Sequence, residues 1–173
     1  MKSFSLFEIS KMIPGSYAIG AATFSGLSTD TRSLIAGDLF VALVGPSFDG
    51  HEFLAQAQGF GACAGLVSTV IDTDLPLLVV PDTRIALGQL AAIKRQHLNG
   101  QFVAVTGSSG KTTVKEMLQK VLFQAGQVEV TKGNFNNDIG VPITLWGMHE
   151  DTDYKVLELG ANHVGEIAYT SRM

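Results

Sequence analysis

With 173 residues, 46% of them hydrophobic, the chain is long enough for one domain or two small ones and apolar enough to bury a core, which argues against disorder. A net charge of -4 without any Lys/Arg-rich block argues against a nucleic-acid partner, and a single cysteine rules out an internal disulfide and suits a reducing cytoplasm. No apolar stretch reaches the roughly 18 residues of a membrane-spanning helix, and Glu8 and Lys11 interrupt the N-terminal apolar residues too early for a signal peptide.

Ser5 and Glu8 form a capping box, with Phe4 and Ile9 at the staple positions, which predicts a helix over 6–12 that stops before Pro14-Gly15. Residues 23–31 read as extended, Gly37-Asp38 as a turn and 39–44 as a buried strand. The loop 48–51 leads into a helix over 52–60, followed by short strands at 65–68 and 75–80. Cys63, in the small-residue run 61–65, reads as a buried structural thiol. Asp82 or Thr83 caps a helix to about residue 97 with Leu87, Leu90, Ala91 and Ile93 near one face, while Lys94-Arg95 reads as its solvated side. A domain boundary is placed at Pro81-Asp82.

The second unit opens with a strand at 102–105. A polar loop and a helix follow, and Val114, Met117, Leu118, Val121 and Leu122 predict that helix's buried stripe. A strand near 128–131, the polar loop 132–138, a helix from Ile139 to Leu145 capped by Asp138, and a strand at 154–159 complete a mostly parallel α/β pattern. Sites in such sheets lie beyond the carboxyl ends of the strands. The chain ends at Met173 inside an expected helix, so residues 83–173 read as a domain truncated at its C-terminal end.

Between strand and helix stands Thr106-Gly107-Ser108-Ser109-Gly110-Lys111-Thr112-Thr113. Glycines let successive amides turn inward toward phosphate oxygens, and the helix N-terminus adds positive potential. Lys111 would reach the β- and γ-phosphates of ATP, and the Thr112 hydroxyl rather than that of Thr113 would bind Mg²⁺, Thr113 being assigned to the nucleotide. The strict phosphate-loop pattern needs glycine at 105, where Val105 stands. Glu158, at the end of the strand 154–159, is the matching metal carboxylate.

With both halves of that site in hand, the chain resembles the Mur ligases of peptidoglycan synthesis, whose phosphate loop reads T-G-[ST]-x-G-K-[ST]. Ser28-Thr29-Asp30-Thr31-Arg32 and the stretch 37–42 resemble the family's uridine-nucleotide-binding domain. Stretches 133–142 and 158–167 resemble the branch that adds a dipeptide. The resemblance implies a small N-terminal α/β domain, 1–82, that binds a UDP-N-acetylmuramoyl-tripeptide. It also implies the front part of a central ATP-binding P-loop domain, 83–173. The implied reaction activates the tripeptide carboxylate as an acyl phosphate for attack by D-alanyl-D-alanine. The implied protein is a cytoplasmic monomer, and this chain alone is expected to be inactive.

Other residues take narrower expectations. Asn136 and Asn137 have amides suited to phosphate or carboxylate oxygens, and Asn137 is assigned with Lys111 and His163 to the catalytic set. Asn162 is assigned to substrate, while Glu166 reads as a helix-start acid. In the first domain Ser28, Thr29, Asp30, Thr31, Arg32, Asp49 and His51 are candidate substrate contacts, with the Arg32 fork matched to a diphosphate. Thr29–Thr31 could instead be a strand with exposed polar residues, and His51 a packing residue. His97 and His149 carry no assigned role, and the four histidines and one cysteine show no zinc spacing. A ligase adding a single amino acid, or a non-catalytic nucleotide switch, are the alternatives.

Overall fold

The computed structural model describes residues 2–173, which divide into two compact units with the boundary between Gln89 and Leu90. In chain order the first unit contains β1 (Phe4–Ser5), α1 (Leu6–Met12), β2 (Tyr17–Ile19), β3 (Thr23–Phe24), β4 (Leu27–Ser28), β5 (Leu39–Val41), α2 (Leu54–Gly59), β6 (Ala64–Val67) and β7 (Leu77–Val79). The helix α3 (Thr83–Arg95) spans the boundary, and β8 (Gln101–Val105), α4 (Lys111–Leu122), β9 (Val128–Val130), α5 (Gly140–Gly147), β10 (Tyr154–Glu158) and α6 (Glu166–Thr170) follow.

In the first unit the sheet order is β2-β7-β6-β5-β4, parallel except for β2. β5, β6 and β7 are apolar along their whole length and fully buried, as strands covered on both faces must be. Phe40, Leu54, Val67 and Leu77 join in one cluster beneath α2. The Ser5/Glu8 capping box is present at the start of α1, which buries Leu6 and Ile9. The helix expected over 52–60 opens instead as a 3-10 turn, Gly50–Phe53, because the Asp49 carboxylate accepts the His51 N–H at 2.9 Å and starts the turn early. Cys63 is only half-buried. Its Sγ lies against the carbonyls of Gly37 and Thr23, and burial raises its pKa, consistent with an inert thiol.

In the second unit the sheet order is β8-β10-β9, all parallel. β10 lies in the centre, so Val156 and Glu158 are buried while β8 and β9 form the edges. Leu98, Val141, Leu145 and Leu157 build the core.

Two expectations fail here in whole or in part. Of the stripe expected on α4, Leu118 and Leu122 are half-buried beside the buried Lys115, whereas Val114, Met117 and Val121 are exposed. The hydrogen bonds of Thr112 to Glu158 and of Lys115 to the Thr131 carbonyl, both 3.0 Å, fix that side of α4 against the sheet. Lys94 is likewise not solvated. It is fully buried and pairs with Glu150 at 3.3 Å, while Arg95 lies over the Phe102 ring at 3.5 Å.

These placements predict unequal effects in urea unfolding. Val121→Ser should change stability by less than about 0.5 kcal/mol. Leu157→Ala, which opens a cavity beneath the sheet, should cost about 2–5 kcal/mol. A large loss from the first would show that the 114/117/121 side is packed after all.

Candidate active site

The loop between β8 and α4 turns on Gly110, which takes φ 75° immediately before the helix. A side chain there would be strained, so glycine is required to bring the chain from strand to helix so sharply. The Val114 N–H bonds the Gly110 carbonyl at 2.9 Å. That leaves the amides of Lys111, Thr112 and Thr113 as first-turn donors without an intrahelical partner. The Lys111 ammonium folds over the same loop onto the Gly107 carbonyl at 2.9 Å. Thr106, Gly107, Ser108, Ser109 and Gly110 are all exposed, so the loop is open to a ligand along its length.

Glu158 meets this loop from the end of β10. Its Oε2 accepts the Thr112 hydroxyl at 3.0 Å and its Oε1 accepts the Asn136 amide at 2.9 Å. Lys115 Nζ stands 3.7 Å from Oε2, and the Glu158 N–H donates to the Thr131 hydroxyl at 2.9 Å. The carboxylate is only 2% exposed. Burial alone would raise its pKa, but the hydrogen bonds from Asn136 and Thr112 and the ammoniums of Lys115 and Lys111 outweigh burial and hold it below its ordinary value. Gly160 follows at the strand end. It donates to the Asn136 carbonyl at 2.7 Å, and a side chain there would meet the Asn136 amide at 3.0 Å.

A hydroxyl and a carboxylate oxygen 3.0 Å apart at the start of a phosphate-binding helix make a hard, oxygen-only donor pair. Mg²⁺ takes such sites, usually with one or two protein ligands and the rest from water and phosphate. Among the described residues no three His, Cys, Asp or Glu side chains cluster to build a metal cage from protein alone. The residues present therefore fit Mg²⁺ arriving with a nucleotide.

The two asparagines divide their work. Asn136 reaches Glu158, whereas the Asn137 side-chain oxygen accepts the N–H groups of Ile139 and Gly140 at 3.3 and 2.7 Å. At the start of α5, where Asp138 is the expected cap, the side-chain bonds to the backbone come from Asn137 instead, and the helix runs from Gly140. His163 is exposed and pairs with Glu166 at 2.9 Å, and the Asn162 N–H donates to the same carboxylate at 2.7 Å. Glu166 therefore ties the 162–166 loop, and these bonds direct neither Asn162 nor His163 toward Glu158. Lys115 and Thr131 escaped the sequence reading. The one available signal was that Lys115 lies a single helical turn beyond Lys111, on the same face.

In the first unit a cavity of about 490 Å³ is lined by Thr29, Asp30, Thr31, Arg32, Phe40, Phe48, Gly50, Phe53 and Gln56. Arg32 projects outward and forks onto Asp30, with contacts down to 2.6 Å. That fork, with the Arg32 backbone N–H, pushes the Asp30 pKa down to about 2. Ser28, in contrast, is buried, and its hydroxyl donates to the Asp30 carbonyl at 2.8 Å within its own turn. His51 lies behind the wall. Its Nδ1 meets Asp49 at 2.6 Å and its Nε2 accepts the Ser68 N–H at 2.9 Å, as a packing residue would.

A family model described as the Mur ligase middle domain matches residues 105–173. The UDP-N-acetylmuramoyl-tripeptide–D-alanyl-D-alanine ligase of Escherichia coli is 51% identical over 170 residues, covering 98% of this chain and 38% of that protein. A crystal structure of MurF from Acinetobacter baumannii aligns with a TM-score of 0.86 at 43% identity, covering 96% of this chain and 37% of that one. A MurF ligase structure from Thermotoga maritima in complex with ADP aligns at 0.75 and 34% identity, covering 83% and 34%. The chain thus spans little more than a third of the length of the relatives it matches.

The electrostatics of Glu158 predict a pH dependence. A carboxylate whose folded pKa is depressed contributes stability that is fully present above its ordinary value of 4.5 and lost as pH falls through the folded value. The stability difference between wild type and Glu158→Gln, from urea unfolding across pH 3–7, should be widest and flat at neutral pH and shrink below about 4.5. A gap independent of pH would contradict the charge-stabilising network.

Proposed function

The chain belongs to the Mur ligase family, and from that premise we propose that it serves a cytoplasmic ATP-dependent ligase joining a UDP-N-acetylmuramoyl-tripeptide to D-alanyl-D-alanine. The observation that carries this reading is the meeting of Thr112, Glu158 and Asn136 at the mouth of the phosphate loop. The relatives named as this ligase, and the one bound to ADP, support the substrate and nucleotide assignments. Residues 1–82 form the UDP-muramoyl-peptide-binding domain in this reading, and 83–173 belong to the ATP-binding domain.

The reaction has a simple electrostatic problem. A carboxylate must attack the γ-phosphorus of ATP, so two anions must approach each other. The amides of Lys111, Thr112 and Thr113 hold phosphate oxygens at the N-terminus of α4. Lys111, with one hydrogen bond to the Gly107 carbonyl to exchange, turns its ammonium onto the β- and γ-phosphates. Thr112 and Glu158 would hold Mg²⁺, which supplies further neutralisation of the charge that develops in transfer. Asn136 keeps the Glu158 carboxylate aimed at Thr112. Transfer gives an acyl phosphate and ADP. The amine of D-alanyl-D-alanine then adds to the acyl carbon, and phosphate leaves as the amide forms.

The exposed Asn137 amide nitrogen, Asn162 and His163 stand as candidate contacts to the reacting carboxylate or the incoming dipeptide. In the first domain Thr29, Thr31 and Arg32 meet the uridine nucleotide in the 490 Å³ cavity. Arg32 needs only to share its fork between Asp30 and a diphosphate oxygen. Turnover is assigned to the whole ligase, so the 173-residue chain alone should bind nucleotide without efficient ligation.

Phosphate release assayed with ATP, UDP-N-acetylmuramoyl-tripeptide and D-alanyl-D-alanine tests the reading in the full-length ligase that carries this sequence. Release should require both substrates, and Lys111→Ala should lower kcat by about 10²–10³-fold. Release that ignores the muramoyl peptide would indicate a nucleotide switch.

A further inference from the structure

Lys115 is 5% exposed, and its ammonium donates to the Thr131 carbonyl at 3.0 Å. It also stands 3.7 Å from Glu158 Oε2, the same oxygen that accepts the Thr112 hydroxyl. Thr131 is fully buried and its hydroxyl receives the Glu158 N–H, so helix α4, the end of β9 and the end of β10 are tied through one threonine. The lysine is therefore held in place, and it faces the oxygen that the metal assignment needs.

A fixed positive charge beside a metal carboxylate has two effects. It balances a buried anion that would otherwise be costly to leave unpaired. It also repels any second cation that approaches without negative charge of its own. We propose that Lys115 is a positioning residue and a resident counter-charge, which holds Glu158 in place and makes the site accept a divalent cation only together with a nucleotide's phosphates. The inference rests on Thr112 and Glu158 being the metal ligands. It implies that metal and nucleotide enter as one complex and that the free ion binds only weakly.

The test uses the 173-residue chain and Mn²⁺, followed by electron paramagnetic resonance, with and without ADP. Wild type should bind Mn²⁺ weakly alone and much more tightly with ADP. Lys115→Met should bind free Mn²⁺ about tenfold more tightly or better. Its gain with ADP should be smaller, so the coupling between metal and nucleotide falls. Lys115→Arg, which keeps the charge, should behave as wild type. A merely structural lysine would weaken both forms of binding together.

Unchanged free-Mn²⁺ affinity in Lys115→Met, with ADP-dependent binding intact in wild type, overturns the role of Lys115 and leaves the metal site standing. Absence of Mn²⁺ uptake by wild type even with ADP overturns the metal site and this inference with it. If Lys115→Met fails to fold by circular dichroism, the double variant Lys115→Met/Glu158→Gln decides. Recovery of the fold supports a counter-charge role, and continued unfolding assigns the lysine to packing and overturns the proposal.

Discussion

The second unit depends on one buried carboxylate. Glu158 ends the central strand of a parallel sheet, where burial disfavours its charge, and four groups from two other segments compensate. Thr112, Lys115 and Lys111 come from α4 and Asn136 from the loop after β9, while Thr131, just past β9, accepts the Glu158 backbone N–H. Each is held by a further backbone contact, as when Lys115 binds the Thr131 carbonyl and Gly160 donates to Asn136. Such networks are stable only when every member is satisfied, so the same bonds that seat Glu158 also fix the phosphate loop against the sheet. The stability of the unit and the geometry of its site are thus one arrangement.

The first unit solves a different problem with the same architecture. Its buried parallel strands project their following loops to one side, and the 29–32 turn and the Phe48–Phe53 segment line a cavity there. Asp30 and Arg32 neutralise each other at its rim, while Asp49 and His51 brace the loop against Ser68 from behind. The Asp49–His51–Ser68 contacts thus lie behind the wall, while Thr29, Thr31 and Arg32 line the cavity itself.

Much of this was legible in the sequence because it is written in local backbone requirements. Glycine before lysine, with a strand behind and a helix ahead, allows few structures besides a phosphate loop, and Ser5 with Glu8 declares the start of α1. The partnership of Thr112 and Glu158 was legible as well, since a strand-end acid is the natural complement of such a loop. What stayed hidden was set by tertiary geometry. The bonds of Thr112 and Lys115 fix the side of α4 that meets the sheet, so Val114, Met117 and Val121 of the stripe that apolar counting favours lie in solvent while Leu118 and Leu122 are half-buried. Lysine ordinarily signals exposure, and nothing local marks Lys94 or Lys115 as buried until their partners Glu150 and Thr131 are brought beside them. At α5 the bonds to the first amides come from the Asn137 side chain and not from the expected Asp138, a choice set by how the 132–138 loop folds back.

The central claim, that Thr112 and Glu158 together form the cation side of a nucleotide site, is tested most directly by anomalous diffraction from a crystal of this chain grown with Mn²⁺ and ADP. The account predicts an anomalous peak bonded to the Thr112 hydroxyl and reaching Glu158 directly or through water, with the ADP phosphates against the amides of Lys111, Thr112 and Thr113. Phosphates seated on that loop with the metal on other residues, or ADP bound away from α4 altogether, would contradict it.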